Sequence, residues 1–157
     1  MHCGDEAASG RCDGPEVGLT AQENKQVLRR FTDEFINTGD PSLAEELVSP
    51  DAVFHAPTSP EPLRGPEGYL QLLGMLRAAF PDVQWTLEEM VAEGDKVAAR
   101  FTMRGTHQGP FLGLSPSGRA FTATSMAFYR LEDGKILEEN GMPDMASIMQ
   151  QIGAPSP

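Results

Sequence analysis

The sequence predicts an α+β fold in which a curved antiparallel sheet wraps around three N-terminal helices and is followed by a short C-terminal helix. Apolar residues recur at helical spacing as far as about Phe80, and from Val83 onward they alternate at the two-residue period of strands. Turn signals at Glu93-Gly94-Asp95 and Asp133-Gly134 separate long strand-like segments. Helices followed by a run of strands are typical of α+β domains, whose curved sheet can enclose a pocket against the helices.

Three helices are predicted before the meander. The first begins at Thr20, because Thr20 and Glu23 have the spacing of a capping box, and it ends at Gly39. Asp40-Pro41 starts a second, short helix with Asp as the N-cap and Pro in the first turn. The third helix extends over residues 65–80.

Five strands and a last helix complete the predicted order of elements. The first strand is short and covers residues 52–56. The other four form an antiparallel meander and cover residues 83–93, 96–106, 119–131 and 135–142. The last helix covers residues 144–152.

Residues 1–18 differ in composition from the rest of the chain. They are rich in Gly, Ala, Ser and acidic residues, and they offer little apolar surface to offset the entropy cost of ordering. We therefore expect a flexible leader over 1–18 and a single domain over 19–154. Both cysteines, Cys3 and Cys12, fall in the leader and are interpreted as incidental to function.

The charge of the chain argues against several classes of partner. The formal net charge is −11, whereas proteins that bind nucleic acid or anionic membranes use clusters of basic residues. A small, hydrophobic molecule is the expected partner. No apolar run is long enough to span a bilayer, and the N-terminus lacks a signal-peptide pattern, so the expected location is the cytoplasm.

Sequence motifs for nucleotide, metal or serine-nucleophile chemistry do not occur. There is no GxSxG elbow or glycine-rich phosphate loop, and the three histidines show neither HxH nor HExxH spacing. We therefore expect that the chemistry uses no cofactor and no metal.

Strand alternation predicts which polar groups face the pocket. On the second strand of the meander, the inward face carries Phe101 and Met103 and ends at His107. On the last strand, one face is shared by Glu138, Asn140 and Met142, and Asp144 continues the same parity. On the first strand, His55 shares a face with Val53. An apolar pocket with a few polar groups suits acid–base chemistry, because burial raises the pKa of a carboxyl group toward neutral pH.

Each polar candidate also has a purely structural interpretation. Asp144 begins the last helix, so its carboxylate is also a candidate N-cap. Glu138 is also a candidate ion-pair partner for Arg100 or Arg104. His107 is also suited to bind a backbone carbonyl and fix the loop that follows it.

Four segments carry a resemblance to a known family: GTHQGPFLGLSPSGR (105–119), YRLEDGKILEE (129–139), DMASIMQQIG (144–153) and FHAPTSPEPLRGPEGY (54–69). They resemble the SnoaL-like polyketide cyclases, the predicted ester cyclase branch of the NTF2-like superfamily. The resemblance implies a cone or barrel with one internal pocket, no cofactor or metal, and a homodimer or tetramer.

The resemblance also implies a reaction, which is ring closure of a polyketide by intramolecular aldol condensation in antibiotic biosynthesis. In the family, a pocket aspartate is the acid/base, and Asp144 is the matching position. Polar groups around the substrate correspond to His107 and to Gln108 or Asn140. Many relatives have an aromatic residue where this chain has Asn140, so the shape of the pocket is expected to differ.

The first hypothesis is therefore a cofactor-independent cyclase. In it, Asp144 removes a proton next to a substrate carbonyl, His107 stabilises the enolate, and Glu138 orients Asp144. The predicted substrate-binding residues are His55, Phe101, Met103, Gln108, Phe111, Asn140 and Met142. Two alternatives remain, which are a non-catalytic small-molecule-binding domain and a hydrolase or isomerase that acts on an epoxide or lactone.

An apolar face on the outside of the meander is the expected contact between subunits. Its candidate residues are Val91, Phe121, Met126 and Phe128.

Overall fold

The computed structural model describes residues 19–154. The predicted leader, residues 1–18, lies outside the described residues, and Cys3 and Cys12 lie there with it. Within 19–154, no helix is long and apolar enough to cross a membrane.

The helices are α1 (Ala21–Arg30), α2 (Ala44–Leu47), α3 (Gly65–Ala79) and α4 (Met145–Gln151). A π-helical segment, Phe31–Ile36, continues α1, and a 3₁₀ turn, Pro41–Leu43, precedes α2. The predicted capping box is confirmed, because the Thr20 hydroxyl accepts a hydrogen bond from the Glu23 N–H and the Glu23 carboxylate accepts one from the Thr20 N–H.

The strands are β1 (Val48–His55), β2 (Leu63–Arg64), β3 (Gln84–Glu93), β4 (Lys96–Thr106), β5 (Ala120–Glu132) and β6 (Lys135–Pro143). They form one sheet in the order β2-β1-β6-β5-β4-β3. The meander from β3 to β6 is antiparallel as predicted, but β1 pairs with β6 in parallel. The sheet is thus mixed, whereas the sequence predicts an antiparallel one. Two parallel strands need a long connection between them. Here the connection from β1 to β6 contains α3 and the strands β3, β4 and β5.

A β-bulge in β6 determines which of its side chains point inward. Leu131 of β5 pairs with Ile136, which is fully buried. Arg130, the residue before it on β5, pairs with Glu138, so Leu137 is an extra residue on β6. An extra residue shifts the alternation of side chains by one position. Beyond the bulge, the β6 residues that line the internal cavity are Glu139, Gly141 and Pro143.

Two clusters of buried side chains lie between the helices and the sheet. The larger cluster joins α1, α2 and α3 to β1 and the meander and includes Phe31, Tyr69 and Tyr129. The smaller cluster lies next to α4 and includes Phe80 and Phe121. Side chains from both clusters line one cavity, so the core itself forms the walls of the candidate site.

The predicted apolar outer face of the meander is present with one correction. Val91, Met126 and Phe128 are exposed. Phe121 is buried in the smaller cluster, because it lies on the inward face of β5 next to Phe80. Met142 of β6 completes the exposed apolar face.

Candidate active site

An internal cavity of about 90 Å³ lies between the sheet and the helices. Its walls are mostly apolar and come from β1 and the loop after it, the π-helical segment, α3, α4, the four meander strands and the loop between β4 and β5. Its polar lining side chains include Tyr69, Ser125, Tyr129 and Glu139. Such a cavity suits a largely apolar ligand that a few hydrogen-bonding groups orient.

Glu139 is the carboxylate of the cavity. Its Oε2 atom accepts a hydrogen bond of 2.9 Å from the hydroxyl of Tyr69. Burial among apolar side chains raises the pKa of Glu139 to about 7, and the hydrogen bond from Tyr69 opposes this rise. At neutral pH, both the charged and the neutral form of this carboxyl group are therefore populated.

Aromatic contacts hold Tyr69 in place. Its ring lies 5.1 Å from that of Phe31 and 4.6 Å from that of Phe54, in edge-to-face arrangements in both cases. Burial, and then the charge of Glu139, raise the pKa of Tyr69 well above its usual value. The phenol therefore stays protonated and acts as a hydrogen-bond donor to Glu139.

Gly141 leaves room for the Glu139 carboxylate. The two residues are two positions apart on β6 and both line the cavity. A Cβ atom added to Gly141 would lie 3.2 Å from Oε1 of Glu139, which is closer than ordinary van der Waals contact. Among the described residues, no hydrogen-bond donor reaches Oε1, so this is the oxygen of Glu139 that is open to a ligand.

Two hydroxyl groups of β5 also face the cavity. Tyr129 lies directly across from Glu139 in the β5–β6 pair, and Ser125 pairs with Pro143 near the other end of β6. Burial and the charge of Glu139 raise the pKa of Tyr129 well above its usual value, so this phenol also remains protonated.

Four of the residues predicted to bind substrate line this cavity. Phe101 and Met103 face it from β4, as the alternation predicts, and Phe111 reaches it from the loop between β4 and β5. His55 is exposed and lies at the edge of the cavity, at the end of β1. Contact of these four residues with a substrate stays a prediction.

His107 is fully buried but does not line the cavity. Its Nδ1 atom accepts a hydrogen bond of 3.2 Å from the Ser117 N–H and lies 3.0 Å from the Ser117 hydroxyl oxygen. Its backbone N–H donates to Arg119, and its carbonyl accepts from Gly118. These bonds fix the loop 107–119. Gln108, also a predicted site residue, is exposed and outside the cavity lining.

Glu138, Asn140 and Met142 lie on the outer face of β6, so the predicted face of this strand is corrected. Asn140 and Met142 are exposed, and Glu138 forms an ion pair of 3.4 Å with Arg130. Glu138 has the same parity as the fully buried Ile136, but the bulge at Leu137 reverses the alternation between them. The structural alternative for Glu138 involved Arg100 or Arg104, whereas the observed partner is Arg130.

Asp144 is exposed and precedes α4 as its N-cap. Its Oδ1 atom accepts a hydrogen bond of 3.1 Å from the Ser147 N–H. The carboxylate is not part of the cavity lining and borders a groove on the outer face of the sheet. The three residues predicted to be catalytic, Asp144, His107 and Glu138, are therefore not brought together in this cavity.

Three polar residues of this cavity are not among the site residues predicted from the sequence. They are Glu139, Tyr69 and Tyr129. One signal for Glu139 is its position beside Glu138, because adjacent residues on a strand point to opposite faces and one of the two must face inward. A second signal is that the chain has two tyrosines, and each falls on the apolar face of its predicted helix or strand. A buried tyrosine usually has a polar partner.

The comparisons with known proteins agree with the architecture. The model of the SnoaL-like polyketide cyclase family matches residues 26–152. The chain belongs to the SnoaL-like polyketide cyclase family. It is 32% identical to nogalonic acid methyl ester cyclase of Streptomyces nogalater over 123 residues, which cover 77% of this chain and 91% of that protein. It is 33% identical to aklanonic acid methyl ester cyclase DnrD of Streptomyces peucetius, over 83% of this chain and 91% of that protein.

Solved structures agree with the family assignment. IdmH of Streptomyces antibioticus is 34% identical and superposes with a TM-score of 0.73, over 83% of this chain and 99% of IdmH. TsrD of Streptomyces laurentii is 29% identical, with a TM-score of 0.75 over 87% of this chain and 99% of TsrD. The predicted family and the predicted α+β cone fold are thus confirmed.

Proposed function

We propose that this SnoaL-like cyclase closes a ring of a polyketide-derived ester by an intramolecular aldol reaction, with Glu139 as the acid/base group. The observation that supports this choice is a carboxyl group inside an apolar cavity, bonded to a buried tyrosine on one oxygen and open on the other. The proposal replaces Asp144, whose carboxylate caps α4 at the surface.

The reaction begins when Oε1 of Glu139 takes a proton from a carbon next to a substrate carbonyl. The resulting enolate carbon attacks a second carbonyl of the same molecule, so that one C–C bond forms and the second carbonyl becomes an alkoxide. The alkoxide then takes the proton from Glu139. The product is an isomer of the substrate, and the enzyme returns to its starting state.

The environment of Glu139 suits both halves of this cycle. A general base works best when its pKa lies near the working pH, and burial brings the pKa of Glu139 to about 7. Tyr69 stabilises the charged form and fixes the orientation of the carboxylate. The proposed steps use only side chains of this chain and the substrate itself.

The proposed substrate is a largely apolar polyketide ester. The relatives named above are cyclases of nogalonic and aklanonic acid methyl esters, and the cavity of this chain combines apolar walls with a small set of hydroxyl groups. The carboxylate within the cavity disfavours an anionic group beside it, so an ester fits this position better than a free acid.

We also propose that the chain forms homodimers or tetramers through the outer face of the meander and acts in the cytoplasm. The exposed apolar side chains of this face are Val91, Met126, Phe128 and Met142. A contiguous exposed apolar surface often marks a protein–protein contact. Size-exclusion chromatography with light scattering tests this point, and a monomeric mass at micromolar concentration contradicts it.

Turnover of a defined ester tests the main proposal. Aklanonic acid methyl ester and nogalonic acid methyl ester are incubated with the protein, and products are followed by liquid chromatography and mass spectrometry. We expect an isomer of unchanged mass with one fewer carbonyl group, formed by the wild type and lost in Glu139→Gln. Conversion by Glu139→Gln at the wild-type rate would exclude Glu139 as the acid/base group.

A further inference from the structure

Tyr129 carries a hydroxyl group that the acid/base step does not use. The residue is only 3% exposed, yet it lines the cavity. Among the described residues, its hydroxyl has no hydrogen-bond partner, whereas the hydroxyl of Tyr69 donates to Glu139. A buried tyrosine hydroxyl usually has a partner, so the cavity is where this partner is to be sought.

The hydroxyl of Tyr129 belongs to a side chain that lines the cavity. Within residues 19–154, two side-chain polar atoms are sealed from any space and lack a partner, and they are Nη1 of Arg77 and Nε2 of His107. The Tyr129 oxygen is not among them. Its missing partner can therefore be supplied by a molecule in the cavity.

Strand pairing and ring contacts fix the Tyr129 side chain beside Glu139. Tyr129 and Glu139 are cross-strand partners in the β5–β6 pair, and directly opposed side chains start about 4.5–5.5 Å apart at Cβ. The ring of Tyr129 lies 6.1 Å from that of Phe31 and 6.5 Å from that of Phe101. These contacts limit the movement of the ring, so its position relative to Glu139 is preorganised.

We propose that the Tyr129 hydroxyl donates a hydrogen bond to the substrate carbonyl oxygen that becomes the enolate oxygen. This inference rests on the proposed function. The acidic C–H and the carbonyl oxygen belong to adjacent carbon atoms, so the base and the donor must lie side by side, as Glu139 and Tyr129 do. A fixed donor aimed at the oxygen where charge develops lowers the barrier to proton removal.

The hydroxyl groups that α3 and the rest of β5 contribute to the cavity fit this role less well. Tyr69 already donates to Oε2 of Glu139. Ser125 lies four residues from Tyr129 on the same strand, which corresponds to about 13 Å along an extended chain. Ser125 pairs with Pro143, whereas Tyr129 pairs with Glu139 itself, so Tyr129 is the hydroxyl residue of β5 beside the proposed base.

The Tyr129→Phe variant tests the inference, because phenylalanine keeps the ring and removes only the hydroxyl. With the two methyl esters above, we expect kcat to fall about 100-fold and KM to change little, since the bond strengthens as charge develops. The pH midpoint of kcat/KM should stay near that of the wild type. A kcat equal to that of the wild type would overturn the inference.

Two further variants separate this inference from the proposed function. Tyr69→Phe removes the donor to Glu139 and should shift the pH midpoint upward, which Tyr129→Phe should not do. If Glu139→Gln abolishes turnover and Tyr129→Phe does not reduce it, the inference fails and the proposed base stands. If Glu139→Gln remains active, the proposed base fails.

Binding of 2-naphthol gives a test that does not depend on turnover. This planar molecule resembles an enol, and its fluorescence reports binding to the cavity. We expect Tyr129→Phe to bind 2-naphthol about tenfold more weakly than the wild type, because the hydrogen bond from the Tyr129 hydroxyl to the naphthol oxygen is lost. Equal affinity in the two proteins, with an unchanged circular dichroism spectrum, would contradict the inference.

Discussion

Glu138 and Glu139 are neighbours in the chain but lie in very different surroundings. Glu138 is on the outer face of β6, where it forms a partly exposed ion pair with Arg130. Glu139 is on the inner face, where apolar side chains surround it and Tyr69 donates a hydrogen bond to it. The same functional group thus serves as a partly exposed ion-pair partner at one position and, at the next, as a half-buried cavity carboxyl whose pKa is raised to about 7.

The difference shows how strongly a single extra residue in a strand affects function. Without the bulge at Leu137, the alternation that puts Ile136 in the core would also turn Glu138 inward. With the bulge, Glu139 faces the cavity instead. Bulges are common next to functional sites, because they redirect a side chain without changing the rest of the sheet.

The largest expected effect is the difference in turnover between the two matched variants Glu139→Gln and Glu138→Gln. Loss of a general base reduces the rate by about 10²–10⁴-fold, so we expect a fall of this size in kcat for Glu139→Gln. Glu138→Gln should retain the wild-type kcat, because an exposed ion pair contributes little. Similar losses in both variants would contradict the distinction between the two faces.

Stability should respond to pH in a way that depends on Glu139. Its pKa is about 7 in the folded protein, against an ordinary value of 4.5, so the folded state binds the proton more tightly. The contribution of Glu139 to stability therefore falls as pH rises from about 4.5 to about 7 and then levels off.

Glu139→Gln removes this dependence. Above pH 7 we expect the variant to be more stable than the wild type by about 1–3 kcal/mol, and near pH 4 the two should be alike. Urea unfolding at pH 4, 6 and 8 measures the difference. A stability difference that does not change with pH would show that the carboxyl group is not buried.

A substitution on the inner face of β6, at Gly141, should reduce activity more than one on its outer face. In Gly141→Ala the new Cβ lies 3.2 Å from Oε1 of Glu139, so the carboxylate must shift. We expect kcat/KM to fall about tenfold while stability is kept or slightly raised, since alanine costs less entropy than glycine in a strand. Asn140→Ala, on the outer face, is the matched control, and an equal loss there would argue against the close contact.

The smallest expected effect is that of replacing Asp144, which tests whether a surface carboxylate affects stability but not turnover. Asp144→Ala should lose about 1 kcal/mol of stability, and Asp144→Asn should lose less, because asparagine is also a good N-cap. Both should keep the wild-type kcat. The hypothesis drawn from the family resemblance instead expects Asp144→Asn to lose turnover by orders of magnitude. That result would support Asp144, and not Glu139, as the acid/base group.

Much of the fold was accessible from the sequence because local signals determine it. The capping box of Thr20 and Glu23 marks the start of α1, and the predicted strand 96–106 coincides with β4. Alternation along β4 also identifies Phe101 and Met103 as cavity residues. Each of these features depends on residues close together in the chain.

The polar residues of the site could not be predicted from local sequence signals. The inward position of Glu139 depends on the pairing of β6 with β5, and the partner of its carboxylate, Tyr69, lies 70 residues away on α3. Alternation cannot reveal a bulge that depends on a neighbouring strand. For the same reason, the parallel pairing of β1 with β6 has no local signal in the sequence.

Titration of the Glu139 carboxyl group tests the central claim most directly. The protein is labelled with ¹³C in its glutamate side chains, the carboxyl shifts are followed by NMR from pH 3 to 9, and Glu139→Gln identifies the resonance. We predict a midpoint near 7 for Glu139, because its carboxyl group is buried in an apolar cavity. A midpoint near 4.5 would contradict the account, because a carboxylate that titrates like one in water is not held in such a cavity.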